Sequence, residues 1–199
     1  MKSTLLIDGQ NLKGYIENII YKSKKPSKYS DYKINWANYD FKKLFDKILS
    51  GKIVDKRVIY FSKLKLHPDT KTKSEFLIQE RRLLKTHLER QEFEVIMAGS
   101  VRGNYIKNKL VFKEKGVDVR IAVDMVIMAC EEKTKEIILA SSDSDLQPAI
   151  TEIKNRNIRF IYVGFQSNPN VGIISKANEF LLFRDEEVLL CENITKPLV

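Results

Sequence analysis

Short apolar runs alternate with longer segments of helical spacing along nearly the whole chain. The runs are rich in β-branched or aromatic residues and end in polar turns, which is typical of strands in a parallel sheet. They lie at Thr4–Ile7, Arg57–Phe61, Phe93–Met97, Glu136–Ala140 and Arg159–Val163. The helical segments lie at Asn11–Ile20, Tyr39–Leu49, Lys73–Arg90, Val117–Glu131 and Leu146–Asn155. This alternation predicts a three-layer α/β domain with a central, mainly parallel sheet of about five strands.

The C-terminal part of the chain and the cellular compartment rest on weaker signals. A short helix is expected in Ile174–Phe180 and an edge strand in Leu181–Phe183, and the tail after Glu192 is expected to fray. The longest apolar run, Ile121–Cys130, is shorter than the roughly 18 residues of a membrane span. No apolar region of a secretory signal follows Lys2. We therefore expect a cytoplasmic protein without a membrane partner.

Aspartates stand where two of the predicted strands end and where one helix begins. Asp8 follows the first strand, and Asp143 and Asp145 follow the fourth. Asp118 lies at the start of a helix that runs antiparallel to the strands, so this end of the helix lies at the same edge of the sheet. Ligand crevices of open α/β sheets lie at the carboxyl ends of the strands. We therefore expect these carboxylates to converge there.

Each of these aspartates also has an ordinary structural explanation. Asp118 is a candidate N-cap, and Asp143 or Asp145 is a candidate cap for the next helix. Asp8 precedes a glycine and is a candidate turn residue. Caps and turns do not explain why the acids converge on one edge of the sheet.

Asp124 stands in a different setting. It interrupts the apolar sequence Ile121–Met128, whose helix is predicted to be buried nearly all round. A buried carboxylate is costly unless it is paired or bound. Asp124 is six residues past Asp118, which puts it on a different face and about 9 Å further along the helix axis. We expect it to orient Asp8 or Asn11 and not to bind a ligand directly.

Carboxylates held close together need a cation. Two unit charges about 4 Å apart repel by roughly 4 kcal/mol at an effective dielectric of about 20. Oxygen ligands without nearby histidine or thiol favour Mg²⁺ or Mn²⁺ over zinc. The two cysteines, Cys130 and Cys191, are interpreted as apolar core residues and not as metal ligands. Such ions bridge phosphates and activate water. Phosphodiester hydrolysis is therefore the reaction class that the acids indicate.

The net charge favours a polyanionic partner. The chain has 35 Lys and Arg against 26 Asp and Glu, which gives a net charge of +9. Without the five aspartates named above, 26 − 5 = 21 acids remain against the 35 bases. The surface around the acidic pocket is thus strongly basic and is expected to attract nucleic acid.

Two connections are longer than a compact α/β unit needs, and both are basic. The first is a basic insertion loop at 22–36, and the second runs from Gly99 to Lys115. Aromatic residues stand among the basic residues of both, which suits single-stranded nucleic acid because bases stack on rings while phosphates meet cations. The expected nucleic-acid contacts are Lys24, Lys25, Lys28, Arg102, Lys107, Lys109 and Lys115. A solvated, lysine-rich surface is the alternative for either loop.

Three segments resemble the NYN domain family of PIN-like nucleases, in particular its LabA-like branch. They are Leu6-Ile7-Asp8-Gly9-Gln10-Asn11, the stretch Lys115-Gly116-Val117-Asp118-Val119 continuing to Ala122-Val123-Asp124, and Leu139-Ala140-Ser141-Ser142-Asp143-Ser144-Asp145-Leu146 with Pro148. The similarity covers about residues 1–183, which predicts a single domain there and a C-terminal extension at 184–199.

The resemblance implies a PIN-like α/β fold and Mg²⁺- or Mn²⁺-dependent ribonuclease chemistry. The implied metal ligands and catalytic residues are Asp8, Asp118, Asp143 and Asp145. Asn11 matches the family's asparagine after the first aspartate and is expected, with Asp124 and Ser142, to support these ligands. The expected partner is nucleic acid, RNA above all, and a homodimer is left open.

One function of another class stays open. A non-catalytic RNA-binding or regulatory module would keep the same fold and lose turnover. The joint presence of Asp8, Asp118 and Asp143 argues against it. Dinucleotide binding and P-loop hydrolysis lack their glycine motifs, and a Toprim-like domain expects Glu where Asp8 stands.

Overall fold

The computed structural model describes residues 2–24, 33–106, 109–132 and 134–192, and for 102–106 and 109–114 it describes the backbone alone. The strands are β1 (Ser3–Asp8), β2 (Lys56–Lys63), β3 (Glu94–Ile106), β4 (Lys109–Lys115), β5 (Glu136–Ala140), β6 (Arg159–Phe165) and β7 (Glu179–Phe183). The helices are α1 (Gly9–Ser23), α2 (Phe41–Ile48), α3 (Lys71–Arg90), α4 (Val117–Cys130), α5 (Gln147–Asn155), α6 (Val171–Ile174) and α7 (Asp185–Leu189). Short 3₁₀ turns lie at Trp36–Asn38, Pro68–Thr70 and Ser144–Leu146.

The strands form one sheet in the order β4-β3-β2-β1-β5-β6-β7. Neighbouring strands run parallel, except that β4 runs antiparallel to β3. The chain starts at the centre with β1, moves outward through β2, β3 and β4, and then returns to β5 on the other side of β1. Leu6 thus lies between Val58 of β2 and Leu139 of β5. The strand order reverses between β1 and β5, which is where open α/β sheets bind ligands.

Helices cover both faces of the sheet, and each face has its own apolar core. Successive side chains of β1 point to opposite faces, so Leu5 joins one core and Leu6 joins the other. Residues of α1, α2 and α3 complete the first core, and residues of α4 and α5 complete the second. These three layers confirm the predicted α/β class, with six parallel strands where about five were expected.

Residues 99–115 form most of a hairpin, so the prediction of a long basic loop there is wrong. β3 continues to Ile106 and pairs with β4. Gly99 has a φ of +63°, and a Cβ atom at this position would lie 2.3 Å from the carbonyl oxygen of Lys115. Glycine is therefore needed where the two strands pass so closely. Residues 110–112 are of types that favour strands, but lysines stand on both sides of them. The segment therefore looked like a basic loop in the sequence.

Smaller differences concern the ends of elements. Helix α1 extends to Ser23, so residues 22–23 of the expected insertion loop are helical, and 25–32 lie outside the described residues. The short helix expected in Ile174–Phe180 lies earlier, as α6, and strand β7 begins at Glu179. The tail expected to fray, 193–199, also lies outside the described residues.

The segment after residue 184 packs on the core through α7. Val188 is buried, and the Tyr39 hydroxyl donates a hydrogen bond to its carbonyl oxygen at 3.0 Å. Burial is the largest cause that raises the pKa of Tyr39, followed by the neighbouring Cys191 and Glu192. The boundary between a 1–183 domain and an extension stays a prediction. Among the described helices, none has the length and apolar character that crossing a lipid bilayer requires.

Candidate functional site

Asp8 ends β1 and starts α1. Its Oδ1 accepts hydrogen bonds from the backbone N–H groups of Gln10 at 3.2 Å and Asn11 at 3.0 Å, so Asp8 is the N-cap of α1. A Cβ atom on Gly9 would lie 2.4 Å from the ring of Phe61. Glycine thus allows α1 to start directly against β2. Asp8 is only 8% exposed. Its carboxylate is held in one orientation at the switch point of the sheet, the place between β1 and β5 where the strand order reverses.

The loop 141–145 follows β5 and is folded on itself by short-range hydrogen bonds. The Ser141 hydroxyl accepts from the N–H of Asp143 at 3.2 Å, and Oδ1 of Asp143 accepts from the N–H of Asp145 at 3.0 Å. Asp143 therefore caps the 3₁₀ turn that precedes α5. Oδ1 of Asn11 accepts from the N–H of Ser142 at 3.1 Å, which ties this loop to α1.

Asn170 and Tyr162 hold the same loop from the side of β6. The side-chain amide of Asn170 donates to the carbonyl oxygen of Ser142 at 2.9 Å and to the hydroxyl of Ser144 at 3.0 Å. The hydroxyls of Ser142 and Tyr162 lie 2.9 Å apart. We did not predict either Asn170 or Tyr162. The signal for Asn170 was present, because it follows β6 at the same edge of the sheet and caps α6.

Asp118 lies in the first turn of α4. The N-cap position belongs to Gly116, which has a φ of +88°, so the alternative that Asp118 is the N-cap is wrong. Gly116 follows Lys115, the residue whose backbone passes Gly99 so closely. The hairpin of β3 and β4 therefore determines where α4 begins and where the carboxylate of Asp118 lies.

Three of the predicted ligands form one group. Asp118, Asp143 and Asp145 each offer one carboxylate oxygen, and these oxygens all lie within 4.8 Å of one another. Asp118 and Asp143 are half-buried and Asp145 is exposed. Asp8 is outside this group but lines the same pocket as Asp118 and Asp143. The prediction that the acids converge at the strand ends is therefore supported for all four, with Asp8 in the wall of the pocket.

The pocket is open and combines acidic and basic walls. It has a volume of about 520 Å³. Its lining consists of Asp8, Gln10, Asn11, Lys115, Gly116, Val117, Asp118, Val119 and Asp143. Like charges about 5 Å apart repel by about 3 kcal/mol per pair at an effective dielectric of about 20, and by less where water screens them. An all-oxygen group of this kind fits a hard divalent cation better than zinc.

The contacts of Asp124 lie on the sheet and on its own helix. Its carboxylate accepts a hydrogen bond from the Tyr60 hydroxyl at 2.9 Å and pairs with Arg120 at 2.9 Å, whereas we predicted that it orients Asp8 or Asn11. Burial is the largest cause that raises the pKa of Tyr60, and the charge of Asp124 adds to it. Asp124 thus ties α4 to β2.

The prediction that α4 is buried nearly all round is also wrong. Val119 is 60% exposed, and Val123 and Ile127 are each 45% exposed. They recur every four residues and form one apolar stripe that faces away from the sheet. Composition alone did not reveal this stripe, because the residue types on the two faces of α4 are alike.

The predicted nucleic-acid residues are described only in part. Lys115 is exposed and lines the acidic pocket. Lys24 forms an ion pair with Glu192, with 2.9 Å between Nζ and Oε1. Arg102 and Lys109 are described by their backbone alone, and Lys25, Lys28 and Lys107 lie outside the described residues. Their role in nucleic-acid binding stays a prediction.

The fold and the acidic pocket together define a class: a parallel α/β protein whose carboxylates meet at the switch point of its sheet. The chain belongs to the NYN domain family, whose sequence model matches residues 2–184. This match confirms the resemblance to the PIN-like nuclease superfamily.

One solved structure supports the fold independently. The crystal structure of a protein of unknown function from Vibrio parahaemolyticus is 20% identical to this chain, covers 92% of both chains and has a TM-score of 0.56. At this identity the likeness concerns the fold alone. A search of curated proteins finds no match.

Proposed function

We propose that this protein is a metal-dependent nuclease that hydrolyses RNA. The observation that carries the proposal is the group of Asp118, Asp143 and Asp145 at the switch point of an NYN fold. Asp118 and Asp145 occupy no helix-cap position, so capping does not account for the group. Without a cation, the mutual repulsion of three carboxylates only destabilises the folded protein.

The residues suit a hard cation. Asp118, Asp143 and Asp145 would hold it, with Asp8 beside them in the pocket wall. Bound Mg²⁺ or Mn²⁺ would stabilise negative charge on a phosphate and lower the pKa of a bound water. Asn11 accepts a hydrogen bond from the N–H of Ser142, and Asn170 donates one to the carbonyl oxygen of Ser142. Both keep the loop of Asp143 in place, so its carboxylate need not reorganise when the ion binds.

Other residues of the pocket would orient the substrate. Lys115 places a positive charge at the rim, where it would attract a phosphate of the backbone. Gln10 is exposed in the first turn of α1, and its side-chain amide can donate to a phosphate or ribose oxygen. Asn11 already uses its Oδ1 on Ser142, so it positions the loop of Asp143.

The proposed reaction is hydrolysis by water. The water oxygen bonds to phosphorus, the bond between phosphorus and the 3′ oxygen breaks, and the leaving oxygen takes up a proton. The products therefore carry 5′-phosphate and 3′-hydroxyl ends. RNA is proposed as the substrate because the chain belongs to the NYN family, and the net charge of +9 would attract any nucleic acid.

The test is to incubate the protein with labelled single-stranded RNA, single-stranded DNA and duplexes in Mn²⁺, Mg²⁺ or EDTA. We expect cleavage of single-stranded RNA with metal, 5′-phosphate ends, and no cleavage in EDTA. Asp145→Asn should lose activity, whereas Asp185→Asn, an exposed acid of α7, is the matched control. Products with 2′,3′-cyclic phosphates, or undiminished cleavage in EDTA, would contradict the proposal. RNA binding without cleavage under any metal would indicate the non-catalytic module instead.

A further inference from the structure

We propose that a groove beside α3 binds the single-stranded nucleic acid whose cleavage is proposed above, so this inference rests on that function for the identity of its ligand. We call it the α3 groove. Its near part, next to the acidic pocket, contains Lys13 and Trp36. Its far part contains Lys63, Lys65 and Arg82. The four basic residues were not predicted as nucleic-acid contacts, whereas Trp36 ends the basic insertion loop, whose aromatic residues were expected to stack bases.

The α3 groove lies next to the acidic pocket. Gln10 lines both the acidic pocket and the near part, a cavity of about 290 Å³. Leu64 and Arg81 line both the near part and the far part, which has a volume of about 400 Å³. These depressions share lining residues, so they lie side by side from the carboxylates to the surface of α3.

The sheet explains why this path starts at the acids. Asp8 pairs with Tyr60 in the neighbouring strand, so β2 continues three residues past the end of β1, to Lys63. At about 3.3 Å per residue, Lys63 lies about 10 Å further along the strand direction than Asp8. The residues after β2 therefore form a raised wall beside the acidic pocket, and α3 lies against that wall.

The near part has the chemistry that stacks bases. The ring of Trp36 is half-buried and has the Lys13 amine 4.6 Å from its centroid. Arg81 also lines the near part, and its guanidinium lies 4.3 Å from the centroid of Phe61. Planar rings and planar guanidinium groups bind unpaired bases by stacking, and this binding tolerates any sequence. Glu80 is the acid in this lining among the described residues.

The far part has the charge that binds a phosphate backbone. Its lining contains five basic residues and, within the described part of the chain, no acid. Lys63, Lys65 and Arg82 are exposed and have no ion-pair partner among the described residues, unlike Lys85, which pairs with Glu89 at 3.6 Å. Exposed cations without acids nearby create a positive potential that attracts polyanions. Apolar walls in the near part and cations in the far part together favour a single strand over a duplex, whose bases are hidden.

The test compares two triple variants with the same loss of charge. The groove variant combines Lys63→Gln, Lys65→Gln and Arg82→Gln. The matched control combines Lys2→Gln, Arg90→Gln and Lys135→Gln. These residues are exposed and lie near the amino ends of the strands, at the end of the sheet away from the acidic pocket. Binding of a single-stranded RNA of about 12 nucleotides is measured by fluorescence anisotropy in EDTA over a range of salt concentrations. EDTA separates binding from cleavage.

We expect the groove variant to bind at least about tenfold more weakly than the wild type, and its salt slope to fall by about 2, because each lost phosphate contact on a single strand contributes about 0.7. The control should bind like the wild type. Equal affinities and slopes for the two variants would overturn the α3 groove. So would equal binding of a duplex of the same length, or no binding by the wild type.

Trp36 supplies a second readout, because it is the single tryptophan of the chain. The single-stranded RNA should quench the intrinsic tryptophan fluorescence of the wild type and the control at saturation, as expected for stacking at this ring. Unchanged fluorescence at saturation would overturn the near part of the proposal. A wild type that binds with this quenching and salt slope but never cleaves would support the α3 groove and contradict the nuclease function, so the two failures are distinguishable.

Discussion

The acidic pocket has two walls, and different kinds of contact position them. The loop wall consists of Asp8 and residues 141–145, and hydrogen bonds between asparagine side chains and the backbone of Ser142 hold it. The helix wall consists of residues 115–118, and its position depends on the close backbone approach of Gly99 to Lys115. The loop wall is thus sensitive to the loss of polar groups, whereas the helix wall is sensitive to the addition of a single methyl group.

The largest effect is expected when one acid is removed from either wall. Asp143→Asn in the loop wall and Asp118→Asn in the helix wall should each lower activity by more than about 100-fold, because both ligate the ion in the proposed function. Without metal, their stability should equal or exceed that of the wild type, since one repulsive charge is gone. Cleavage assays and thermal melts in EDTA measure both effects.

The same variants test metal binding by stability. Wild-type protein should gain about 2.7 kcal/mol in a hundredfold excess of Mn²⁺ over its Kd, because only the folded state presents the assembled site. Each variant should lose most of this gain. If Asp143 is only a cap, Asn replaces it without effect, since both residues cap well. Melts without a Mn²⁺ shift and fully active variants would contradict a metal centre spanning both walls.

The second prediction breaks the helix wall alone. Gly99→Ala should lower the free energy of unfolding by about 3 kcal/mol or more, since it combines a strained φ of +63° with a Cβ that would lie 2.3 Å from the Lys115 carbonyl oxygen. It should also lower activity, because Asp118 moves with that backbone. Gly51→Ala is the matched control: its φ is +82° and its Cβ has open space around it. Urea unfolding should show a loss of only about 1 kcal/mol there, with activity unchanged. Equal losses in the two variants would mean that the contact of Gly99 is unimportant.

The third prediction weakens the loop wall alone. Asn170→Ser keeps an oxygen that can cap α6 but removes the amide that donates to Ser142 and Ser144. The Kd for Mn²⁺ should rise about tenfold, as expected when a group that orients a metal ligand is lost. Asn168→Ser, which removes an exposed hydrogen bond to Tyr15, is the control and should leave the Kd unchanged. Calorimetric titration with Mn²⁺ measures both Kd values. A Kd unaffected by Asn170→Ser would show that the hydrogen bonds within the loop 141–145 are enough to keep it in place.

The smallest effect is expected from the hydrogen bond between Tyr60 and Asp124, which attaches α4 to β2. Tyr60→Phe removes the hydrogen bond to Asp124 and should lower stability near neutral pH by about 1 kcal/mol. Burial raises the pKa of Tyr60 above its ordinary value of 10.0 in the folded state. The stability that this contributes is present below that value and is lost as pH rises above it. Unfolding measured on both sides of pH 10.0 should therefore show a steeper alkaline loss for wild type than for Tyr60→Phe. Parallel losses, with the exposed Tyr21→Phe as control, would contradict this role.

The sequence predicts the loop wall better than the helix wall. Asp8 ends β1 and Asp143 stands three residues after β5, so an expectation about strand ends places them without knowledge of packing. The helix wall needs the hairpin of β3 and β4, which its lysines made to look like a loop. The strand-end rule also applied to β6, and following it there would have identified Asn170.

Local sequence patterns do not predict contacts between distant parts of the chain. Lys24 pairs with Glu192, a partner 168 residues away, which no local composition indicates. The α3 groove joins Lys13, Lys63 and Arg82, and these residues share a surface only because α3 packs beside the end of β2. The alternation of strands and helices, in contrast, is local and repeated, so the α/β class could be predicted from the sequence alone.

The position of β1 between β2 and β5 also determines when the pocket can exist during synthesis. The hydrogen bond between Asn11 and Ser142 joins residues 131 positions apart in the chain. Asp8 is therefore translated long before its neighbours in the pocket, and β1 has only its β2 side to pair with until β5 emerges. A chain on the ribosome, itself an RNA machine, thus has no assembled acidic pocket until residues 141–145 have emerged. Order of synthesis alone keeps the proposed nuclease latent until the loop that follows β5 has been made.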